Sequence, residues 1–213
     1  MRFRQSVPIA LLAGLLAGCA HVDPPATGAA QFDRVMTAED FDHSLLATAI
    51  FEESNRVRAA NGVPALAHEP ALDAAADEQA AYLALALRAD HDNPFPGVHN
   101  ATERVARAGL RGMAVAENAV MMRSQRPAGA PDREYTYSAY AAFLLQGWMN
   151  SPGHRANLLN PYFRLSGCAA RLGHGILPRD QRVYATQVFF TPLPNNAGTP
   201  PSKFEASGIP PGR

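Results

Sequence analysis

Two cysteines in 213 residues are too few for the disulfide framework that holds many small secreted domains together. Basic and acidic side chains balance at 19 each, so no cationic surplus marks a nucleic-acid binder and no acidic run marks a solvating tail. The apolar run Val7–Leu16 is too short to cross a bilayer as a mature helix. Neither His-Glu-x-x-His nor Gly-x-Ser-x-Gly occurs, which removes the zincin helix and the hydrolase nucleophile elbow. The apolar content of 47% still suffices for a core, and the length suits one domain with extensions.

The N-terminus reads as a targeting segment. Arg2 and Arg4 precede the apolar run, which ends in Leu16-Ala17-Gly18-Cys19. This ending resembles a bacterial lipobox, so residues 1–19 are expected to be a lipoprotein signal with Cys19 as the lipidated residue. An ordinary secretory signal with a chance cysteine is the alternative. Several acyl chains on one residue would anchor the protein stably. Ala20 after the cysteine resembles the Gram-negative pattern that sorts to the outer membrane. The expected location is therefore the bacterial cell envelope, with the membrane as a partner through Cys19. Cys168 is then alone, and its strand-like surroundings fit a buried structural thiol.

Residues 20–38, rich in Pro, Ala and Gly, read as a disordered tether, 39–192 as the folded domain and 193–213 as a Pro/Gly-rich tail. Leu46, Ile50 and Val57 share a helical face, and Asn61-Gly62 with Pro64 ends that helix. Pro70 opens a second, with Leu72, Ala76, Gln79, Leu83 and Leu87 at helical spacing. His91 to His99 is a loop. Asn100 with Glu103 resembles a capping box, and Gly109 stops the short helix that follows. Met113 to Met122 is apolar except for Glu117-Asn118. Thr136 or Ser138 caps a helix running to Met149, and Leu165–Leu172 with Arg182–Phe190 forms a late hairpin. Helices first and a hairpin last give an α+β pattern.

The chain is organised around Gly147-Trp148-Met149-Asn150-Ser151-Pro152-Gly153-His154-Arg155-Ala156-Asn157-Leu158-Leu159-Asn160-Pro161. Trp148 closes one helix, Ser151 is placed to cap the next through its hydroxyl, and Pro152 suits the first helical position. Asn160-Pro161 stops that helix, with His154 in its first turn. This block resembles the bacterial branch of the CAP superfamily (cysteine-rich secretory proteins, antigen 5, pathogenesis-related proteins), also called SCP domains. The resemblance runs from about Leu45 to Phe190 and implies a three-layer α-β-α sandwich around a small antiparallel sheet. It also implies a shared cleft, in which His91 matches the histidine after the second helix and Glu117-Asn118 the Glu-Asn motif. Arg104 matches the arginine opening the next helix, and His154 the last histidine. Tyr184-Ala185-Thr186-Gln187-Val188-Phe189 resembles the closing strand. Ser151 and Tyr184 stand where eukaryotic members carry a second Glu and a second His, so the full tetrad is absent.

The expected cleft is thus His91, Glu117 and His154, with Asn118, Ser151 and Tyr184 beside them. His99 competes with His91 but reads better as a solvated loop residue. Two histidines and a carboxylate could hold Zn²⁺ or another divalent ion, with His91 and His154 as ligands. They could also activate water, or hydrogen-bond one another and fix the loops. Three functions stay open: an envelope domain binding a lipid, glycan, peptide or metal; a metal-dependent hydrolase; and a structural module. Ser151 reads as a cap rather than a nucleophile, and His21, His43, His68 and His174 as surface residues without partners.

Overall fold

A computed structural model describes residues 30–175, 177 and 180–194. Cys19, most of the tether and all but the first residues of the tail lie outside them. The elements are α1 (His43–Ala60), β1 (Ala67–His68), α2 (Pro70–Ala86), α3 (Ala101–Arg107), β2 (Gly112–Arg123), α4 (Tyr137–Asn150), α5 (Pro152–Leu158), β3 (Leu165–His174) and β4 (Gln181–Pro192), after a short 3₁₀ turn at Ala30–Asp33.

The helix ends follow local chemistry. Asp42 accepts from the Leu45 N–H to start α1, and Glu69 with Pro70 starts α2. Asn100 accepts from the Glu103 N–H at the head of α3, while the Glu103 carboxylate reaches back to the His99 N–H, one residue before the usual box partner. Thr136, not Ser138, caps α4. Ser151 does occupy the cap position of α5, but its hydroxyl makes no capping bond; Pro152 and the backbone bonds around Ser151 start that helix instead.

The sheet runs β1-β3-β4-β2. β4 pairs antiparallel with β2 and β3, whereas β1 joins β3 in parallel through Ala67↔Leu165 and His68↔Ser166 only. The sheet is therefore mixed, not wholly antiparallel as expected, because two residues before Pro70 reach the β3 edge on the way into α2. Strand alternation sends the two faces to separate cores. Cys168, Ala170, Val183, Ala185 and Phe189 pack under α1 and α4, with Leu46, Ile50, Leu144 and Trp148. Ala169, Val188 and Phe190 pack under α2, with Leu72, Ala76, Ala80 and Val105 of α3. These are the three layers of an α-β-α sandwich. Gly167 allows the lower layer to close, since a Cβ there would stand 2.3 Å from the backbone of Leu72 and Asp73.

Candidate functional site

β2 is an edge strand, so its backbone lies open along one side. Its side chains alternate between layers: Val115 and Ala119 join the cores on the α2 side, Ala116 and Val120 the core under α4. Glu117 accordingly faces α3, and Asn118 faces α5. The adjacent pair reaches both helical layers from one strand.

On the α3 side, Glu117 is gripped twice. One oxygen accepts from Arg104 Nη2, and the other lies 3.0 Å from His91 Nδ1. Arg104 is 1% exposed and Glu117 7%, so this is a buried ion pair. Arg104 Nη1 also donates to the Val98 carbonyl at 3.0 Å, which ties the His91–His99 loop to α3. Gln79 of α2 fixes the other end of the loop by donating to the Asp90 carbonyl at 2.9 Å. The loop is held at both ends, and the His91 side chain stands 58% exposed at its start.

On the α5 side, Asn118 donates to the His154 carbonyl at 3.1 Å, and Asn157 donates to Asn118 Oδ1 at 3.0 Å and to the Glu117 carbonyl at 3.2 Å. These bonds lock α5 onto the open backbone edge. The rings of His91 and His154, from opposite layers, come to 6.3 Å between centroids. Behind His154, buried Trp148 lies 6.4 Å away by ring centroids.

The two histidines are driven apart in acidity. The hydrogen bond to Glu117 raises His91 above the ordinary imidazole range, with the negative charge of Glu117 and Asp90 adding and burial and Arg104 opposing. Burial lowers His154, and the charge of His91 lowers it further. One ring favours the cationic donor, its neighbour the neutral acceptor.

His91, Glu117, Asn118 and His154 thus lie together, His154 through its ring beside His91 and its carbonyl bound to Asn118. Ser151 lies one turn before His154 but forms no hydrogen bond to it among the described residues. Tyr184 does not join them. It pairs with Met121, whereas Glu117 pairs with Val188, four residues further along β4. At about 3.3 Å per residue the separation is roughly 13 Å. Tyr184 is fully buried beside Leu83 and Met121, and its hydroxyl donates to the His174 carbonyl. An aromatic ring at that position fills a core gap that a polar cleft residue would leave. His99 binds Glu103 on the surface, not the cleft. His43 and His68 are exposed but not partnerless: His43 Nδ1 lies 3.0 Å from the Ala170 carbonyl and His68 Nε2 lies 2.6 Å from Asp73. Gln79 has helical spacing in the sequence, and a polar side chain at such a core-facing position is the sign that it holds the loop.

A tetrahedral metal site needs three or four convergent ligands. No group of three or more His, Cys, Asp or Glu side chains is so arranged among the described residues. Both Glu117 oxygens are already engaged, by a guanidinium and an imidazole. The arrangement suits hydrogen bonding better than metal ligation.

The family model of the cysteine-rich secretory protein family (CAP) matches residues 51–189. The chain belongs to this family. Among solved structures it is similar to an extracellular protein containing an SCP domain from Bacillus anthracis, with 25% identity, a TM-score of 0.50 and coverage of 70% of this chain and 41% of that one. It also resembles a cysteine-rich secretory protein from Staphylococcus aureus at 18% identity and TM-score 0.45, covering 70% of this chain and 39% of that one. An outer surface protein from Borrelia burgdorferi gives 12% identity and TM-score 0.48, covering 75% of this chain and 98% of that one. The chain spans about two fifths of the length of the first two. A comparison with curated proteins finds no match. Within this CAP domain the motif residues His91 and Glu117 form one network with buried Arg104, and the His154 ring lies beside it.

Proposed function

We propose that this CAP domain is a binding module of the bacterial cell envelope, tethered through Cys19, whose His91/His154 cleft takes the anionic group of an envelope lipid or glycan. One observation carries the reading: the network is buried at Arg104 and Glu117 but ends at a ring that is 58% exposed. Burying a charged pair to tie α3 to β2 accounts for the inner half. It does not account for His91, whose second nitrogen has no hydrogen-bond partner among the described residues and whose ring has a raised proton affinity. Counting Arg104, Glu117 and a protonated His91, the network carries one net positive charge, which suits a phosphate or carboxylate oxygen. Neutral His154 alongside can accept from a hydroxyl. A hydrolase with a covalent intermediate would need a nucleophile beside His154, and no hydrogen-bonded nucleophile stands there among the described residues.

The full chain carrying Cys19→Ser separates anchor from cleft. It should leave the membrane fraction, and at pH 6 it should float with vesicles containing phosphatidic acid more than with neutral vesicles. Adding His91→Ala should abolish that preference. Equal flotation with and without His91 would overturn the binding role, and retention of Cys19→Ser on membranes would overturn the tether.

A further inference from the structure

A second feature lies on the opposite edge of the sheet. β1 covers β3 at Leu165 and Ser166 only, and no other strand pairs with the outer edge of β3 among the described residues. The outward residues are fixed by their bonds: the Ser166 carbonyl accepts from Glu69, the Cys168 N–H donates to Asp73 Oδ1 at 2.8 Å, and the Ala170 carbonyl meets His43. Since N–H and C=O of one strand residue point the same way, the Cys168 carbonyl, the Ala170 N–H and the Leu172 backbone also face outward, without a partner among the described residues. α1 and α2, from opposite layers, overhang this edge and make a groove of about 450 Å³.

We propose that this groove binds an extended cationic peptide, which adds as a strand to β3 beside Cys168–Leu172. An open strand edge is a template for pairing, and natural proteins normally cover or block it. Here two helices shield it from sheet-to-sheet contact while leaving a groove open between them. Strand addition draws its affinity from backbone bonds and its selectivity from alternate side chains. One set would face Ala47, Phe51 and Glu52 of α1, and the other Asp73 and Asp77 of α2. Three carboxylates, Glu52, Asp73 and Asp77, line the groove against one guanidinium; Arg171 holds Asp77 and His68 holds Asp73 at 2.6 Å, so Glu52 of α1 is the carboxylate left to meet a cation. The incoming strand displaces His43 from the Ala170 carbonyl and leaves the Asp73 bond to Cys168 in place.

The probe is an acetylated, amidated octapeptide of alternating Val and Lys, added to the ¹⁵N-labelled full chain. Hydrogen exchange at the Ala170 amide should slow at least tenfold at saturation. The same peptide N-methylated at alternate residues should give no protection, and a Val/Glu version should bind at least tenfold more weakly. His43→Ala, which removes the competing side chain from an exposed position, should tighten binding severalfold. Unchanged Ala170 exchange would overturn the proposal. So would equal protection by the N-methylated peptide, which would mean attraction by charge alone, or weaker binding by His43→Ala. Concentration-dependent protection without peptide would assign the edge to a second copy of the chain and equally overturn it.

Discussion

Arg104 and Glu117 form an ion pair inside the protein, 1% and 7% exposed, between the first helical turn after the loop and the edge strand. Removing one partner from such a pair strands the other charge. Arg104→Met should therefore cost about 3–5 kcal/mol in urea unfolding. His91→Ala, at the exposed end of the same network, should cost less than about 1 kcal/mol, because solvent screens that half. Similar losses in the two variants would show that His91 is as structural as Arg104.

The opposed acidities of the two rings set a pH signature. In a histidine-detected NMR titration, His91 should lose its proton above the ordinary midpoint near 6.5 and His154 below it. Glu117→Gln should bring the His91 midpoint down. The stability from His91 is complete below its unfolded value and is lost as pH rises through the higher folded value. That from His154 is complete above its unfolded value and is lost as pH falls through the lower folded value. The pair's contribution to Tm should therefore decline on both sides of about 6.5 and vanish in the double alanine variant.

Much of this arrangement was legible beforehand. The helix starts at Pro70, Asn100 and Thr136 were readable because caps and proline act locally. His91, Glu117 and His154 were readable through a motif that keeps its order. The membership of Tyr184 was misjudged because four residues along a strand is a long way in space, and motif position alone does not measure it. β1 was missed because two residues have no periodicity and owe their form to β3. The burial of Arg104 was invisible for a similar reason: an arginine in a short polar helix looks solvated until α2 and β2 close over it.

Asn118 is fully buried, and Asn157 is the donor to its side-chain oxygen. Asn157→Ala should cost about 1–3 kcal/mol by leaving that oxygen unpaired. It should also loosen α5, seen as faster amide exchange through Pro152–Leu158. A stable variant with unchanged exchange would mean that α5 is held by Leu158 and Trp148 packing alone.

Gly167→Ala tests the lower layer. Its Cβ would meet Leu72 and Asp73 backbone atoms at 2.3 Å, and backbone cannot rotate away as a side chain can. The substitution should cost at least the 1–3 kcal/mol typical of overpacking, read from the unfolding midpoint. Wild-type stability would show that α2 can slide on the sheet.

Zinc provides a contrast. With both Glu117 oxygens engaged and no three-ligand group among the described residues, Zn²⁺ should give no rise in Tm that is lost in both His91→Ala and His154→Ala. Such a rise would make the cleft a metal site and reopen hydrolysis.

The most direct test of anion binding at the cleft is a titration of inorganic phosphate into the full chain at pH 6, followed through the imidazole resonances. A saturable shift of His91, with a smaller one at His154, that disappears in His91→Ala and weakens as pH rises through the His91 midpoint would establish the exposed ring as the anion donor. No saturable shift at His91, or one that survives its replacement elsewhere in the spectrum unchanged, would leave the network as a tie between α3, β2 and α5.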